Sequence, residues 1–434
     1  MQNNTSTVQY AIIGIFVVFI VIGIIVFAGF TGGNSSSKNG VKIKVWGVFP
    51  LNSVKPAIDA TNLKKADTLN VSYTQHSLST FDNDLASAIA QGEGPDMVIL
   101  PEDHLLKNKK LFVTIPYTII SQRTYQDSFA APANIFLNDK GITALPILID
   151  PLVMYWNKDI FATAGVPTPP NSWKGLVELI PKISNVTTSK TVLQSAVSFG
   201  EYSNVKNAKE ILTTLFFQAG NSIVELQKEF FVSTIYDNSS NSQVNPAEAA
   251  LSFYTQFANP SSVAYSWNKS LPSSDEQFLR GKSATYIGFA SEYENILSGN
   301  PNLNFDVSVI PQAQGSKTSV TYAKVYGIAI VNASKNQQSA LTNAEIMVST
   351  DFIGRFSQNM NLPSVRVDQL GTESESSFGE VFRRSVLIGK DWYDPDSNST
   401  GNYFKTMIES VSNGSATISD AVKTFDLQLK ELLK

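Results

Sequence analysis

The chain has 434 residues, of which 43% are hydrophobic and 11% aromatic, and its formal net charge is −4. This composition indicates a globular protein of two to three domains or one large two-lobed domain, and the charge argues against nucleic acid as a main partner. Cysteine is absent, which excludes disulfides, thiol nucleophiles and a lipid-modified cysteine. The chain has two histidines, His76 and His104, so a histidine-rich metal site is not expected.

The run from Ala11 to Phe30 is apolar and has no charged residue. It is long enough to cross the roughly 30 Å hydrocarbon core of a membrane as a helix, and it lacks the polar face of a globular helix. It exceeds the roughly 7–15 residues of a signal-peptide core and follows no basic residue, so we expect an uncleaved anchor. Gly29, Gly32 and Gly33 leave cleavage as the alternative. Residues 31–40, TGGNSSSKNG, predict a flexible linker.

Strands and helices alternate over residues 41–100. Strands are predicted where β-branched residues alternate with polar ones, and helices where apolar residues recur at helical spacing between capping residues and glycines. This alternation predicts a parallel sheet with right-handed crossovers. The predicted elements are strand Val41–Phe49, helix Val54–Ala66, strand Leu69–His76, helix Phe81–Gln91 and strand Pro95–Leu100.

The stretch from Ala144 to Phe161, ALPILIDPLVMYWNKDIF, predicts a long apolar strand around which the chain is organised. Its β-branched and aromatic residues favour an extended strand over Ile147–Trp156, and its prolines exclude a central helix. We expect an interruption at Asp150-Pro151. Two interpretations follow from the residues: the strand stays within one sheet, or it crosses between two lobes.

The rest of the chain is mostly helical. Residues 103–143 are mixed in pattern and remain unassigned. The predicted elements are helices Trp173–Ile180 (stopped by Pro181), Asn207–Ala219, Pro246–Phe257 and Gln337–Thr350, strands Phe305–Pro311 and Val325–Val331, a helical region from Asp351, a polar loop over Trp392–Gly401 and a terminal helix over Ser419–Lys434.

Motifs for phosphate loops, nucleophile elbows and zinc peptidases are absent. Acidic pairs such as Glu102-Asp103 are more typical of solvated surfaces than of a glycosidase acid/base pair. We therefore expect neither an enzyme nor a cofactor or metal, and a surface glycosidase stays as a remote alternative.

Several short motifs resemble segments of extracellular solute-binding proteins of the maltose-binding type, which serve ABC importers. They are LP…DP…YWNKDIF within residues 145–161, GVP…PP…SW within 165–173, AQGEGPDMV over 90–98, FLRGKSATYI over 278–287 and NLPSVR over 361–366. The resemblance implies an α/β, two-lobed, periplasmic-binding-protein-like fold with hinge crossovers, preceded by one N-terminal transmembrane helix. It implies a first lobe of about 41–150 and 301–350 and a second of about 151–300 and 351–434.

The resemblance also implies a ligand cleft between the lobes, and we expect nine residues in it. Trp46, Asp150 and Tyr155 match family positions. Glu102 and Asp103 follow the third strand, where open α/β sheets place ligands. Four residues stand where the sequence departs from the family pattern: Phe289 or Tyr293 would replace a missing tryptophan, and Lys324 and Tyr326 replace a glycine-rich turn.

These observations predict a membrane-anchored receptor that captures a sugar or oligosaccharide and delivers it to ABC permease subunits. Aromatic rings would stack on sugar faces while charged side chains bind hydroxyls. Lys324 suggests an acidic sugar. A sensory or scaffold protein with the same fold is the second hypothesis. Lysines follow the apolar run, and by the positive-inside rule they favour a cytoplasmic location for the C-terminal part of the chain. The resemblance instead places the binding domain of this single-pass protein on the outer side of the cell membrane.

Overall fold

The computed structural model describes residues 41–64, 69–227, 230–236, 245–315, 318–371 and 376–434. Lys42–Lys434 form one compact unit. The apolar run Ala11–Phe30 and the linker 31–40 lie outside the described residues. Within the described part of the chain, no helix is both long and apolar enough to cross a membrane.

The elements follow one another in an α/β order. The strands are β1 Ile43–Gly47, β2 Val71–Gln75, β3 Met97–Pro101, β4 Ile115–Pro116, β5 Gly141–Ile142, β6 Leu145–Asn157, β7 Asn185–Val186, β8 Val192–Gln194, β9 Val224–Gln227, β10 Phe230–Ser233, β11 Thr285–Phe289, β12 Phe305–Ser308, β13 Thr321–Ile330 and β14 Gly389–Lys390. The helices are α1 Leu51–Lys64, α2 Phe81–Ala90, α3 Glu102–Lys107, α4 Gln122–Ser128, α5 Lys158–Thr163, α6 Trp173–Ile183, α7 Ala208–Gln218, α8 Pro246–Thr255, α9 Ser274–Leu279, α10 Tyr293–Gly299, α11 Gln337–Met347, α12 Thr350–Asn359, α13 Val367–Leu370, α14 Ser377–Leu387, α15 Ser397–Ser412 and α16 Ile418–Leu432.

One sheet has the strand order β11-β6-β13-β3-β1-β2, with β12 beside β6 and β14 beside β13. The predicted parallel part is confirmed: β1 is parallel to β2 and to β3. β13 is antiparallel to both β3 and β6, so the sheet as a whole is mixed. The buried side chains Ile43 and Val45 alternate with more exposed ones in β1, as a strand with one face in the core requires.

Strand β6 is continuous through Asp150-Pro151, so the expected interruption is wrong. Its 13 residues are all buried. The strand changes partners at the proline instead: it pairs with β13 up to Pro151 and with β11 and β12 beyond it. A proline without an N–H donor is tolerated at such a point, where one ladder ends and another begins.

Two hydrophobic cores flank the distal half of β6. Val153 and Tyr155 belong to the first core, which also surrounds β1 and β3. Leu152, Met154 and Trp156 belong to the second core, which is built around α6, α7, α8, α15 and α16. The strand thus stays within one hydrogen-bonded sheet and also supplies both cores, so each of the two interpretations describes part of it.

Residues 350–387 pack in the first core, whereas we expected them in the second lobe. Phe352, Phe356 and Phe382 are buried there, and the ring of Phe356 lies 5.4 Å from that of Phe49. The chain joins the second core again at Trp392 and Tyr393. The change from the first core to the second therefore comes in the segment that follows α14, and the lobe boundary expected at residue 351 stays a prediction.

Two smaller expectations are also wrong. Helix α6 does not stop at Pro181 but runs to Ile183, because the loss of one hydrogen bond in a last turn leaves the turn intact; the Ser184 N–H still donates to the Ile180 carbonyl. The expected loop over Trp392–Gly401 already contains the start of α15, whose N-cap Asp396 accepts a hydrogen bond from the Ser399 N–H at 2.8 Å.

Candidate functional site

A cleft of about 830 Å³ lies between elements that pack in the two cores. Its volume falls in the range of small-molecule sites. The first wall comes from residues before and within α2 and α3, the second from α7 and the start of α15, and the floor from β13. The lining consists of Leu78, Ser79, Asp82, Asn83, Asp103, His104, Lys107, Tyr202, Val205, Asn207, Ala208, Lys209, Glu210, Tyr322, Lys324, Asp394, Ser397, Asn398 and Gly401.

Asp82 organises the first wall. Its Oδ1 accepts hydrogen bonds from the Asn108 amide and lies 3.0 Å from His104 Nδ1, while its Oδ2 lies 3.3 Å from Lys107 Nζ. Burial would raise the pKa of Asp82, but His104 and Lys107 lower it. Burial likewise opposes the charge of His104, whose pKa is nevertheless raised by Asp82 and Asp103. This wall is therefore a fixed, charged surface.

The second wall is organised by an ion pair between Lys209 and Asp394. Lys209 Nζ lies 2.5 Å from Asp394 Oδ2 and donates to Thr400 Oγ1 at 2.9 Å. Both charged side chains are largely buried, at 13% and 6% exposure. Asn207, which precedes α7, adopts a left-handed backbone with φ of 61°, a conformation that asparagine tolerates well. The turn aims the first residues of α7 at the cleft.

Lys107 connects the two walls. Its Nζ lies 2.9 Å from Asp396 Oδ2 of the second wall as well as 3.3 Å from Asp82 of the first. Nearby, Lys109 donates to Tyr393 Oη at 3.2 Å. Hydrogen bonding with Asp396 is the main cause that raises the pKa of Lys107. We refer to the contacts of Lys107 and Lys109 with Asp396 and Tyr393 as the cross-cleft seam.

Glu102 ties the floor to the first wall. It is 1% exposed and accepts hydrogen bonds from Tyr322 Oη at 2.8 Å and from the Val325 N–H at 3.0 Å. Burial, followed by the charge of Asp103, raises its pKa to about 7. A carboxyl group held this way fixes Tyr322 and the backbone of Val325, which flank Ala323 and Lys324 in β13.

Lys324 lies on the floor, with its Nζ 4.7 Å from the centre of the Phe289 ring. Asp150 stands opposite it in the β6–β13 register and accepts a hydrogen bond from the Ser291 N–H at 3.0 Å. Burial raises the pKa of Asp150 to about 6. Burial also opposes the charge of Lys324, but its pKa is raised by Tyr326, Glu210, Asp103 and Glu102. The floor therefore holds an ammonium group among several acidic ones.

Five of the nine expected residues lie in or directly behind this cleft. Asp103 and Lys324 line it. Glu102, Asp150 and Phe289 lie behind the lining, where they contact or face Tyr322, Lys324 and their neighbours. Burial would raise the pKa of Asp103, but the charges of Lys324 and His104 lower it.

The structure removes Tyr155 and Tyr293 from the cleft. Tyr155 is fully buried, and its hydroxyl donates to the Phe289 carbonyl at 2.7 Å. Tyr293 stacks on Phe378, with ring centres 4.2 Å apart, against the first core. Both are packing residues because their strand and helix turn them toward β12 and α14 rather than toward β13.

Trp46 and Tyr326 lie near the cleft but do not line it. The ring of Trp46 stacks on His76 at 3.9 Å and meets the edge of Phe81 at 6.3 Å, at the start of α2. The ring of Tyr326 lies 4.8 Å from that of Phe49. Their ring faces are used for packing in this arrangement.

The sequence interpretation missed most of the second wall. Lys209, Glu210 and Asp394 line the cleft but lie in a predicted helix and a predicted loop with no family motif. One usable signal existed: Lys209 and Glu210 are charged residues in the first turn of an otherwise apolar helix. Which face of that helix meets the cleft depends on tertiary packing, so the signal alone did not locate them.

A family model described as bacterial extracellular solute-binding protein matches residues 58–368 of the chain. The chain is also 22% identical to a binding protein of Brucella abortus strain 2308. The alignment of 319 residues covers 70% of this chain and 71% of that protein.

Solved structures show the same fold at low identity. The cyclic α-maltosyl-1,6-maltose binding protein of Arthrobacter globiformis superposes with a TM-score of 0.75 at 15% identity, over 91% of this chain and 99% of that one. A cyclo/maltodextrin-binding protein in complex with maltotetraose gives 0.72 at 17%, over 92% and 98%. An ABC transporter solute-binding protein of Thermotoga lettingae bound to α-D-tagatose gives 0.66 at 18%, over 91% and 100%.

Proposed function

Because the chain belongs to the bacterial extracellular solute-binding proteins, we propose that it captures a sugar or oligosaccharide in the cleft described above and delivers it to the permease of an ABC importer. The family and the structures that share the fold are binding proteins rather than enzymes. Catalysis therefore has no part in the proposal.

The observation that carries the proposal is the chemistry of the cleft lining. Carboxylates, ammonium groups, hydroxyls and amides face the same space from both walls and from the floor. Sugar hydroxyls both donate and accept hydrogen bonds, so a lining that mixes donors with acceptors suits them. The aromatic contribution comes from Tyr202 and Tyr322, and it is smaller than we expected from the sequence.

Delivery would follow from lobe movement. Because α2 of the first wall and α7 of the second pack in different cores, a hinge at the strands and segments that join the cores would open and close the cleft. A ligand that contacts both walls would favour the closed form, which the permease would recognise. We propose further that the apolar run Ala11–Phe30 anchors the domain on the outer side of the membrane.

Thermal unfolding of the full-length protein in mild detergent tests the proposal. A ligand that binds only the folded state stabilises it by about 2.7 kcal/mol at a hundredfold excess over Kd. We expect such a shift with one class of sugar from a panel that includes maltotetraose, mannotriose and tagatose, and none with peptides, polyamines or phosphate. A shift with peptides or anions and with no sugar contradicts the sugar assignment, and no shift with any compound favours a scaffold or sensory role.

A further inference from the structure

Most charged side chains that line the cleft already have partners. Asp82 is paired with His104 and Lys107, and Lys209 is paired with Asp394. Asp103 accepts a hydrogen bond from the His104 N–H at 2.9 Å. These contacts stabilise each wall internally. A ligand would have to displace one of them before it could form a strong hydrogen bond with any of these groups.

Glu210 and Lys324 differ from the other charged groups of the cleft. Within the described residues, neither side chain makes an ion pair or a hydrogen bond, and the close contact of Lys324 is with the Phe289 ring. They act on each other electrostatically, since Glu210 is among the groups that stabilise the Lys324 ammonium, but they form no direct ion pair. A carboxylate on α7 and an ammonium group on β13, each without a hydrogen-bond or ion-pair partner among the described residues, therefore line the same cleft.

These two charged groups suit a ligand hydroxyl group. A partly buried charge without a partner is unfavourable, so a ligand that supplies partners to both groups gains affinity. A hydroxyl can donate to a carboxylate and at the same time accept from an ammonium group. The neighbouring Tyr202 and Ser397 are neutral polar residues that suit further hydroxyls.

We propose that Glu210 and Lys324 act as a pair that selects neutral, polyhydroxylated ligands over charged analogues by bracketing ligand hydroxyls between them. This inference rests on the proposed sugar-binding function. A ligand carboxylate would meet Lys324 favourably but would be repelled by Glu210 and Asp103. A ligand ammonium group would meet Glu210 favourably but would be repelled by Lys324 and Lys209. The pair thus argues against the acidic sugar that the lysine alone suggested.

Binding of matched sugar trios to the full-length protein tests this selection. Each trio consists of a neutral hexose, its 2-amino analogue and its uronate, in the gluco, manno and galacto series at millimolar concentrations. We expect the wild type to prefer the neutral member. Glu210→Gln is expected to raise the affinity for the uronate relative to the neutral sugar about tenfold, and Lys324→Met that for the amino sugar by a similar factor, since a hydrogen bond to a charged group is worth roughly that much.

The controls separate charge selection from damage to the fold. Glu178→Gln and Lys282→Met remove exposed charges outside the cleft lining and are expected to leave all ratios unchanged. Lys324→Arg keeps the charge and is expected to restore the preference of the wild type. Thermal unfolding without sugar shows whether each variant is folded, and the ratio of two affinities measured on one variant does not depend on its active fraction.

Each outcome has a separate meaning. If no member of any trio binds the wild type, the proposed sugar-binding function fails and takes this inference with it. If neutral sugars bind but the ratios of one or both cleft variants stay at the wild-type values, the selecting pair is refuted while the proposed function stands. Tighter binding of a zwitterion such as β-alanine than of any neutral sugar also refutes it, because the pair would then hold two ligand charges.

Discussion

At the scale of single residues, Glu102 shows how one side chain serves both the fold and the cleft. It begins α3 directly after β3 and is buried beneath the floor, where it holds Tyr322 and the backbone of Val325. Its hydrogen bonds explain why an acidic residue is found in this position without an adjacent ion pair. Because burial disfavours the ionised carboxylate, Glu102 makes the stability of the fold depend on pH.

We predict that Glu102 lowers stability as the pH rises. Its pKa is about 7 in the folded protein, above the usual 4.5, so its contribution to stability is fully present below pH 4.5 and is lost as the pH rises through 7. The loss amounts to roughly 3 kcal/mol, at 1.36 kcal/mol for each pKa unit. Asp391, whose pKa burial also raises, would keep part of the slope in a Glu102 variant.

Urea unfolding between pH 4.5 and 8 measures this loss. Glu102→Gln keeps an acceptor for Tyr322 and should be less sensitive to pH than the wild type across that range, whereas the exposed control Glu178→Gln should keep the full slope. An unchanged slope in Glu102→Gln would show that this carboxyl is ionised in both states at neutral pH.

We predict that Tyr155 contributes to stability and not to sugar binding. Removing its hydroxyl in Tyr155→Phe leaves the Phe289 carbonyl without a buried donor, which should lower the free energy of unfolding by about 1–2 kcal/mol. Because the side chain is fully buried, sugar affinity measured by calorimetry should stay within about twofold of the wild type, a small step on the affinity scale. A large loss of affinity at unchanged stability would return this tyrosine to the binding site.

The sequence located residues at the cleft where a strand or a strand end defines the position, while their binding to a ligand stays a prediction. Asp103 follows β3 and Lys324 lies in β13, and both line the cleft. It did not locate Tyr155, which lies away from the cleft lining, because a family motif marks a strand but does not say which face of it is turned to the cleft. It also failed for Glu210 and Asp394, whose positions depend on how α7 and α15 pack against each other.

At the scale of elements, β6 connects the two cores, and α3 faces both of them. Leu105 of α3 packs in the first core, while the next residue, Leu106, packs in the second. Helix α3 also carries Lys107 of the cross-cleft seam. The existence of β1, β2, β3 and α2 was predictable from periodicity, whereas the short α3 was not, since six residues are too few to show a helical pattern.

We predict that the cross-cleft seam favours the closed arrangement of the cleft. Lys107→Met should lose the contacts with Asp82 and Asp396 and so weaken sugar binding about three- to tenfold, in line with a loss of about 1 kcal/mol for partly exposed ion pairs. Its affinity should also depend less on salt than that of the wild type.

Calorimetry at low and high salt checks the seam. Lys110→Met, which removes an exposed lysine next to the seam, is the matched control and should bind like the wild type. Tighter binding by Lys107→Met would mean that the seam instead opposes closure.

At the scale of the whole molecule, the family and the α/β fold were predictable because the motifs lie at strand ends and chain crossings that the architecture needs. The distribution of the chain between the two hydrophobic cores was not predictable. Residues 350–387 carry apolar faces that would fit either core, and their place beside Phe49 is decided by the return of the chain after β13. The charge selection proposed for Glu210 and Lys324 likewise exists only in the folded chain, since the two residues are far apart in sequence.

Closure of the cleft on a bound sugar can be measured as a change in the distance between the two cores. Since the chain has no cysteine, Ser87→Cys on α2 and Asn402→Cys on α15 would place two spin labels at known sites of the full-length protein. Pulsed electron paramagnetic resonance should show that the sugar that raises the unfolding temperature shifts the distance distribution toward shorter values. A sugar that binds but leaves this distribution unchanged would contradict capture by closure of the cleft.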